Sequence, residues 1–136
     1  MPRVATCLLI NDEGKLLILK RSEKVRTYKG MWGGVVGYVE ENEEPYETAI
    51  KEIQEEVGLN KEDVTLIKKS DPIVFTDLYE GQHYNWKIFV FLFKIKKKSK
   101  INIDWEHLEY RWIPPSDIVK YDTVPRLKEA VSKLLL

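Results

Sequence analysis

The feature that most restricts this chain is a helix that brings its own electrostatic problem. From Pro45 to Val57 (PYETAIKEIQEEV) the apolar residues Ala49, Ile50, Ile53 and Val57 recur at helical spacing. At about 100° per residue those four share one arc of about 100°. Glu52, Glu55 and Glu56 fall on the adjoining arc, related as i, i+3 and i+4, so their carboxylates are neighbours. Like charges at that spacing destabilise a helix by roughly 0.2–0.5 kcal/mol per pair. No Lys or Arg shares the arc, because Lys51 points away from Glu56. A hard divalent cation that takes oxygen ligands, Mg²⁺ or Mn²⁺ in its stead, would neutralise the cluster. A bare ExxEE on a helix is more often a solvated acidic face, so the residues around it decide the reading.

Those residues stand in a fixed frame. Gly37 is followed by five residues and Glu43, then by seven residues and Lys51-Glu52-Ile53-Gln54-Glu55-Glu56-Val57-Gly58-Leu59. Pro45 suits the first helical position and Gly58 a helix-ending one. This stretch resembles the Nudix box, in which G, five residues, E and seven residues precede REUXEEXGU, with U a bulky aliphatic. Every defining position matches except the Arg, which is Lys51 here. In that family the Arg is chiefly an ion-pair partner that steadies the catalytic turn. Lys keeps the charge and loses the planar fork, so the rigidity of the turn is altered while every metal-facing carboxylate remains.

Composition narrows the rest. The 136 residues suit one domain, 1–136, large enough for an ordinary core. Basic and acidic residues balance at 22 each, so no global field draws the chain to nucleic acid or to a membrane. The start, Met-Pro-Arg-Val-Ala, has no long apolar run, and neither a cleaved signal nor a membrane span is expected. A single cysteine, Cys7, excludes an internal disulfide framework and suits a cytoplasmic protein.

Val4–Ile10 reads as a buried strand, and the turn Asn11-Asp12-Glu13-Gly14 leads into a second over Leu16–Leu19. Cys7 is then a buried core thiol and not a nucleophile. Further strands are predicted over Val64–Lys68, Ile73–Tyr79 and Asn85–Ile95, with a turn at Glu80–His83, and short extended pieces over Ile101–Trp105 and Glu109–Ile113. Lys94, Lys96, Lys97, Lys98 and Lys100 read as a solvated hairpin tip, since no aromatics interleave them beyond Phe93. Pro114-Pro115-Ser116-Asp117 starts a helical turn, and a closing helix is predicted over Thr123–Leu136. Trp32 reads as core. His83 and His107 read as ordinary loop histidines, with nothing to pair them.

The resemblance implies an α/β fold for essentially the whole chain: a Nudix α/β/α sandwich with a mixed β-sheet between helices. It implies an Mg²⁺-dependent hydrolase of a diphosphate bond in a nucleoside diphosphate linked to another moiety. Glu52, Glu55 and Glu56 would hold the metal, joined by the Val36 carbonyl and by Glu106, which best matches a further loop carboxylate ahead of Trp112. Glu109 is the reserve for that position, and Glu40 is a loop acid close to the site. Either Glu52 or Glu106 would be the base. Arg21 aligns with a basic residue that contacts substrate phosphate in MutT-type members, with Lys24, Arg26 and Lys29 as solvent-facing alternatives. Gly37, Glu43, Lys51 and Gly58 hold structural positions of the box. The substrate class is a small nucleotide, either a nucleoside triphosphate, as in MutT-type pyrophosphohydrolases, or a nucleotide sugar such as ADP-ribose. Neither nucleic acid nor membrane is an expected partner, and a homodimer is compatible with the chain. Isopentenyl diphosphate isomerases share the fold but use a cysteine and a glutamate, and Cys7 does not lie in a loop beside the box. A non-catalytic Nudix-fold nucleotide sensor is the competing class; such modules usually lose box carboxylates, and all are present here.

Overall fold

The strand that organises the molecule is β1 (Arg3–Ile10), whose six central residues are all buried. A continuous apolar run of this kind is what a strand covered on both faces requires. In the computed structural model, which describes residues 1–136 except Lys97 and Lys98, β1 pairs in parallel with β7 (Gln82–Ile95) from Arg3↔Lys87 to Ile10↔Lys94. Along its other edge β1 pairs antiparallel with β4 (Val35–Tyr38), and only at Ile10↔Leu16 with β2 (Leu16–Arg21). β2 in turn lies between β3 (Trp32–Gly33) and β8 (His107–Ile113). The free edge of β7 is shared by β5 (Val64–Lys69) and β6 (Ile73–Tyr79). The result is a mixed sheet that forks where β3 passes into β4.

Helices cover the two faces, as the Nudix-like reading implies. α1 (Pro45–Val57) has the predicted bounds, with Pro45 in the first turn and Gly58 closing it at φ +73°. The Gly58 N–H donates to the Gln54 carbonyl at 3.1 Å. Ala49, Ile53 and Val57 pack on Ala5, Cys7 and Leu9 of β1. On the opposite face, Leu127, Ala130, Val131 and Leu134 of α2 (Leu127–Leu135) pack with Leu8, Ile18 and Leu92. Alternate residues of β1 thus serve alternate helices, as a period of two demands. Cys7 is buried, and its thiol donates weakly to the Ala49 carbonyl at 3.8 Å. Trp32 is also in the core, against Tyr121 and under the Arg111 guanidinium.

Three expectations need correction. The closing helix starts at Leu127 and not at Thr123. The Trp32 N–H donates to Asp122, and the Val124 N–H donates to the Trp32 carbonyl, both at 2.9 Å. These bonds hold 122–124 extended, and Pro125 disfavours a helical conformation at Val124. Ile101–Trp105 is not a strand. Its alternating Ile101 and Ile103 instead pack against the α1 core, while the Asn102 N–H donates to the Val57 carbonyl at 2.9 Å. The lysine run is not a hairpin tip, because β8 crosses back to pair with β2 and not with β7. Lys97 and Lys98 of that run lie outside the described residues. A smaller difference is the turn before β7, which comprises Glu80 and Gly81, both at positive φ, as a two-residue hairpin turn prefers.

Gly34 makes the fork possible. A Cβ there would sit 2.7 Å from the Cys7 carbonyl oxygen, a backbone atom that cannot move aside. Gly34→Ala is therefore expected to destabilise the protein by about 1–3 kcal/mol. The check is a urea melt, with the midpoint lowered and the slope unchanged.

Candidate functional site

The box helix delivers two carboxylates to the fork. Glu52 and Glu56, one turn apart, lean from α1 across β4. At Gly37 a methyl group would overlap Cγ and Cδ of Glu52 and stand 2.6 Å from its Oε1, so glycine is what lets this side chain lie over the strand. Glu56 is only 1% exposed, and its Oε1 accepts from the Val36 N–H at 3.3 Å. Its Oε2 is buried with no hydrogen-bond partner among the described residues. Glu106 reaches the same place from the loop before β8, where its carbonyl accepts from the Ser22 N–H at 2.8 Å. One oxygen from each of Glu52, Glu56 and Glu106 lies within 4.8 Å of the other two.

Crowding and burial raise the affinity of this group for protons. Burial, then the charges of Glu106 and Glu52, push Glu56 well above the ordinary carboxylate range. Burial and the neighbouring Glu55 push Glu52 up to about 7. Burial and Asp104 push Glu106 up, while Arg21 pulls it down. An all-oxygen donor set around an orphaned buried carboxylate oxygen fits a hard divalent cation, because an unpaired polar atom of this kind is costly.

Arg21 ends β2 on the other side of the cluster, half-buried, its Nε donating to the Thr27 carbonyl at 2.9 Å. Burial lowers its pKa, and Glu56 and Glu106 act the other way. Arg21, Glu52 and Glu106 share a cavity of about 180 Å³ with Tyr28, Tyr38, Phe75 and Trp86. The loop over it is braced by the Tyr28 hydroxyl, which donates to Asp77 Oδ2 at 2.7 Å, and by Tyr79 packed on the Tyr28 ring at 4.7 Å. Burial and the bond to Asp77 push the Tyr28 phenol up.

The other residues singled out in the sequence divide. Lys51 donates to Glu43 Oε2 at 2.7 Å, while Glu43 Oε1 accepts from the Thr48 hydroxyl and the Glu40 N–H, each at 3.0 Å. That brace ties the loop after β4 to α1, the steadying contact that the resemblance implies for the position of Lys51. Glu55 is exposed and falls outside the group formed by Glu52, Glu56 and Glu106. Glu40 is exposed and joins the brace through its backbone rather than its carboxylate. Glu109 is exposed and lies 3.6 Å from Arg111, away from the cluster. Lys24, Arg26 and Lys29 are exposed.

His107 is the clearest correction. It is not a loop histidine but the first residue of β8, with its side chain 2% exposed. Its Nδ1 lies 3.2 Å from Asp104 Oδ1, and its Nε2 lies 3.7 Å from Glu56 Oε1. The carboxylate of Asp104 can only accept, so the ring proton belongs on Nδ1. Burial pushes the imidazole pKa down, with Asp104 opposing. The contact with Glu56 is thus not an ion pair: burial drives both groups toward their neutral forms, and 3.7 Å is too long for a hydrogen bond. Alternation along β8 would have put His107 on the other face, beside Arg111. A bulge in the pairing opposite Lys20 and Arg21, where Glu109↔Lys20 is followed by His107↔Arg21, turns it toward α1. Nothing in the local sequence signals that bulge.

The chain matches the NUDIX domain over residues 1–134. It is 27% identical to the nucleoside triphosphatase NudI of Escherichia coli over 127 residues, which cover 88% of this chain and 87% of the relative. The dihydroneopterin triphosphate pyrophosphohydrolase of E. coli superimposes with a TM-score of 0.81 at 20% identity, over 98% of this chain and 94% of that one. The C. elegans Ap4A hydrolase, as a binary complex, superimposes with a TM-score of 0.78 at 19% identity, over 98% and 94%. These two structures share the fold of this chain. No helix among the described residues is long and apolar enough to cross a membrane.

The raised carboxylates give a testable pH dependence. Between the ordinary value of 4.5 and the Glu52 value of about 7, Glu52, Glu56 and Glu106 hold more protons in the fold than in the unfolded chain and His107 holds fewer, which leaves a net excess on the folded metal-free protein. Its stability therefore falls as pH rises through that window. A cation competes with those protons, so Mg²⁺ or Mn²⁺ should raise Tm more at about pH 8 than at about pH 5. Thermal melts in chelator and in metal across this range provide the check. A metal-free Tm that stays level and a metal shift independent of pH would contradict the assignment.

Proposed function

The chain belongs to the Nudix hydrolase family, and from that premise we propose that it is a MutT-type pyrophosphohydrolase of nucleoside triphosphates that works with Mg²⁺. The observation behind the reading is the union of three crowded carboxylates with an arginine and an aromatic-lined cavity. The activity of NudI, a nucleoside triphosphatase, favours a triphosphate over a nucleotide sugar such as ADP-ribose.

Glu52, Glu56 and Glu106 are the side chains that would hold the cation, with the Val36 carbonyl as a further oxygen ligand and Glu55 adding negative charge from the exposed side of α1. A divalent cation bound there supplies neutralisation of phosphate charge and acidification of water. The chain's own residues do the remainder. Arg21 donates to a phosphate oxygen, a task that suits its fork of donors, while Thr27 keeps the guanidinium aimed. Glu52 and Glu106 line the cavity, so either takes the proton from the attacking water; Glu56 lies behind them and serves as a ligand. Tyr28, Tyr38, Phe75 and Trp86 offer apolar walls to the nucleoside end and keep bulk water from it. The attack is in line with the leaving phosphate and releases a nucleoside monophosphate and pyrophosphate.

The test is a panel of nucleoside triphosphates and ADP-ribose, incubated with Mg²⁺ and separately with chelator. Pyrophosphate release that depends on metal is expected from the triphosphates. Glu52→Gln and Glu56→Gln should each lower kcat by at least about 100-fold while the circular dichroism spectrum is kept. Near-normal rates in both variants would defeat the assignment, and nucleotide binding without any turnover would mark a sensor instead.

A further inference from the structure

The turn before β8 contains more than is needed to present Glu106. Asp104 Oδ1 accepts from the Glu106 N–H at 3.2 Å and, on the same oxygen, from His107 Nδ1 at 3.2 Å. The His107 N–H donates to the Asp104 carbonyl at 3.2 Å, which closes the turn. One carboxylate oxygen therefore fixes both the backbone from which Glu106 projects and the ring that stands against Glu56. That ring and the Glu56 side chain are each 2% exposed, so there is no water layer between them at a separation of 3.7 Å. Glu56 Oε1 is bounded by the Val36 N–H and by the ring, which limits how the carboxylate can rotate. The Glu106 carbonyl is tied to Ser22, the residue after Arg21, so the backbone of the turn is held at both its N–H and its C=O.

We propose that Asp104 and His107 are positioning residues that set Glu56 and Glu106 at the separation a shared cation requires. The inference rests on the reading of Glu52, Glu56 and Glu106 as the metal-holding group and assigns a role to two residues outside the box. A carboxylate that can rotate must be reorganised before it binds an ion, and partners that orient metal ligands typically contribute about 10- to 100-fold in affinity or activity. The bulge that turns His107 to the α1 face gives the β8 strand a purpose beyond pairing, since a regular strand would leave Glu56 without a wall on that side.

The full chain with Asp104→Ala and Asp104→Asn gives the test. Mn²⁺ affinity is read from the free-ion electron paramagnetic resonance signal, kcat and KM from a triphosphate that the wild type hydrolyses, and Tm in chelator. Asp104→Ala should weaken Mn²⁺ binding and lower kcat by about 10- to 100-fold, with KM changed by less than about 3-fold. Asp104→Asn keeps an acceptor oxygen for both N–H groups and should restore most of each loss. Mn²⁺ binding and kcat at wild-type levels in Asp104→Ala would overturn the proposal, as would an Asn variant no better than the Ala one. If Asp104→Ala does not fold, His107→Gln is the substitute: the same weakening of Mn²⁺ binding supports the proposal, and unchanged binding overturns it. A wild type that neither binds Mn²⁺ nor shows metal-dependent turnover would overturn the metal-holding reading itself, and the positioning role with it.

Discussion

The structure is arranged around the burial of one carboxyl group, that of Glu56. Glu56 sits behind a β-strand with a single backbone donor on one oxygen and, among the described residues, no partner on the other, and two further carboxylates face it. A carboxylate in such a place must take up a proton or meet a cation, because leaving it ionised and unpaired costs several kcal/mol. The surrounding features make sense as ways of keeping that group where it is. Gly37 lets Glu52 cross β4, and Gly34 lets the strand carrying Val36 pass from β2 to β1. The Glu43–Lys51 brace locks the loop to the helix from outside. That ion pair is partly exposed, so its worth lies in geometry more than in free energy.

The sheet separates two tasks. Its α1 face carries the acidic group, and Glu52 and Glu106 of that group line one cavity with residues of β6, β7 and the segment before α2. Arg21 stands at the boundary, paired by its backbone to β8 and by its side chain to Thr27. The acidic group and the aromatic walls thus rest on different elements that meet at one cavity.

What could be read in the sequence follows from how local each determinant is. α1 was legible to the residue because Pro45, the Ala49–Val57 periodicity and Gly58 are local signals that agree with one another. The acidic stripe was legible for the same reason, although the structure groups Glu52 and Glu56 with Glu106 and leaves Glu55 exposed. Glu106 was reachable only through its spacing to Trp112. His107 was not legible, since its face is decided by a bulge in pairing with a strand some 90 residues earlier. The start of α2 is later than the helical pattern of the segment implies because backbone bonds to Trp32 outweigh that pattern. Ile101 and Ile103 had the alternation of a strand, but no strand edge was available to them. In each case a distant partner overrode a local preference.

The segment between Asp122 and Arg126 is hydrogen-bonded to Trp32 through main-chain groups, while Val124 also packs on the Trp32 core and, with Pro125 and Arg126, forms part of the cavity wall. Amide and carbonyl groups are common to nearly every residue type, so this fastening is indifferent to which side chains the segment displays. The course of this wall is thus tied to β3 by main-chain hydrogen bonds, and its chemical character comes from the side chains of Val124, Pro125 and Arg126.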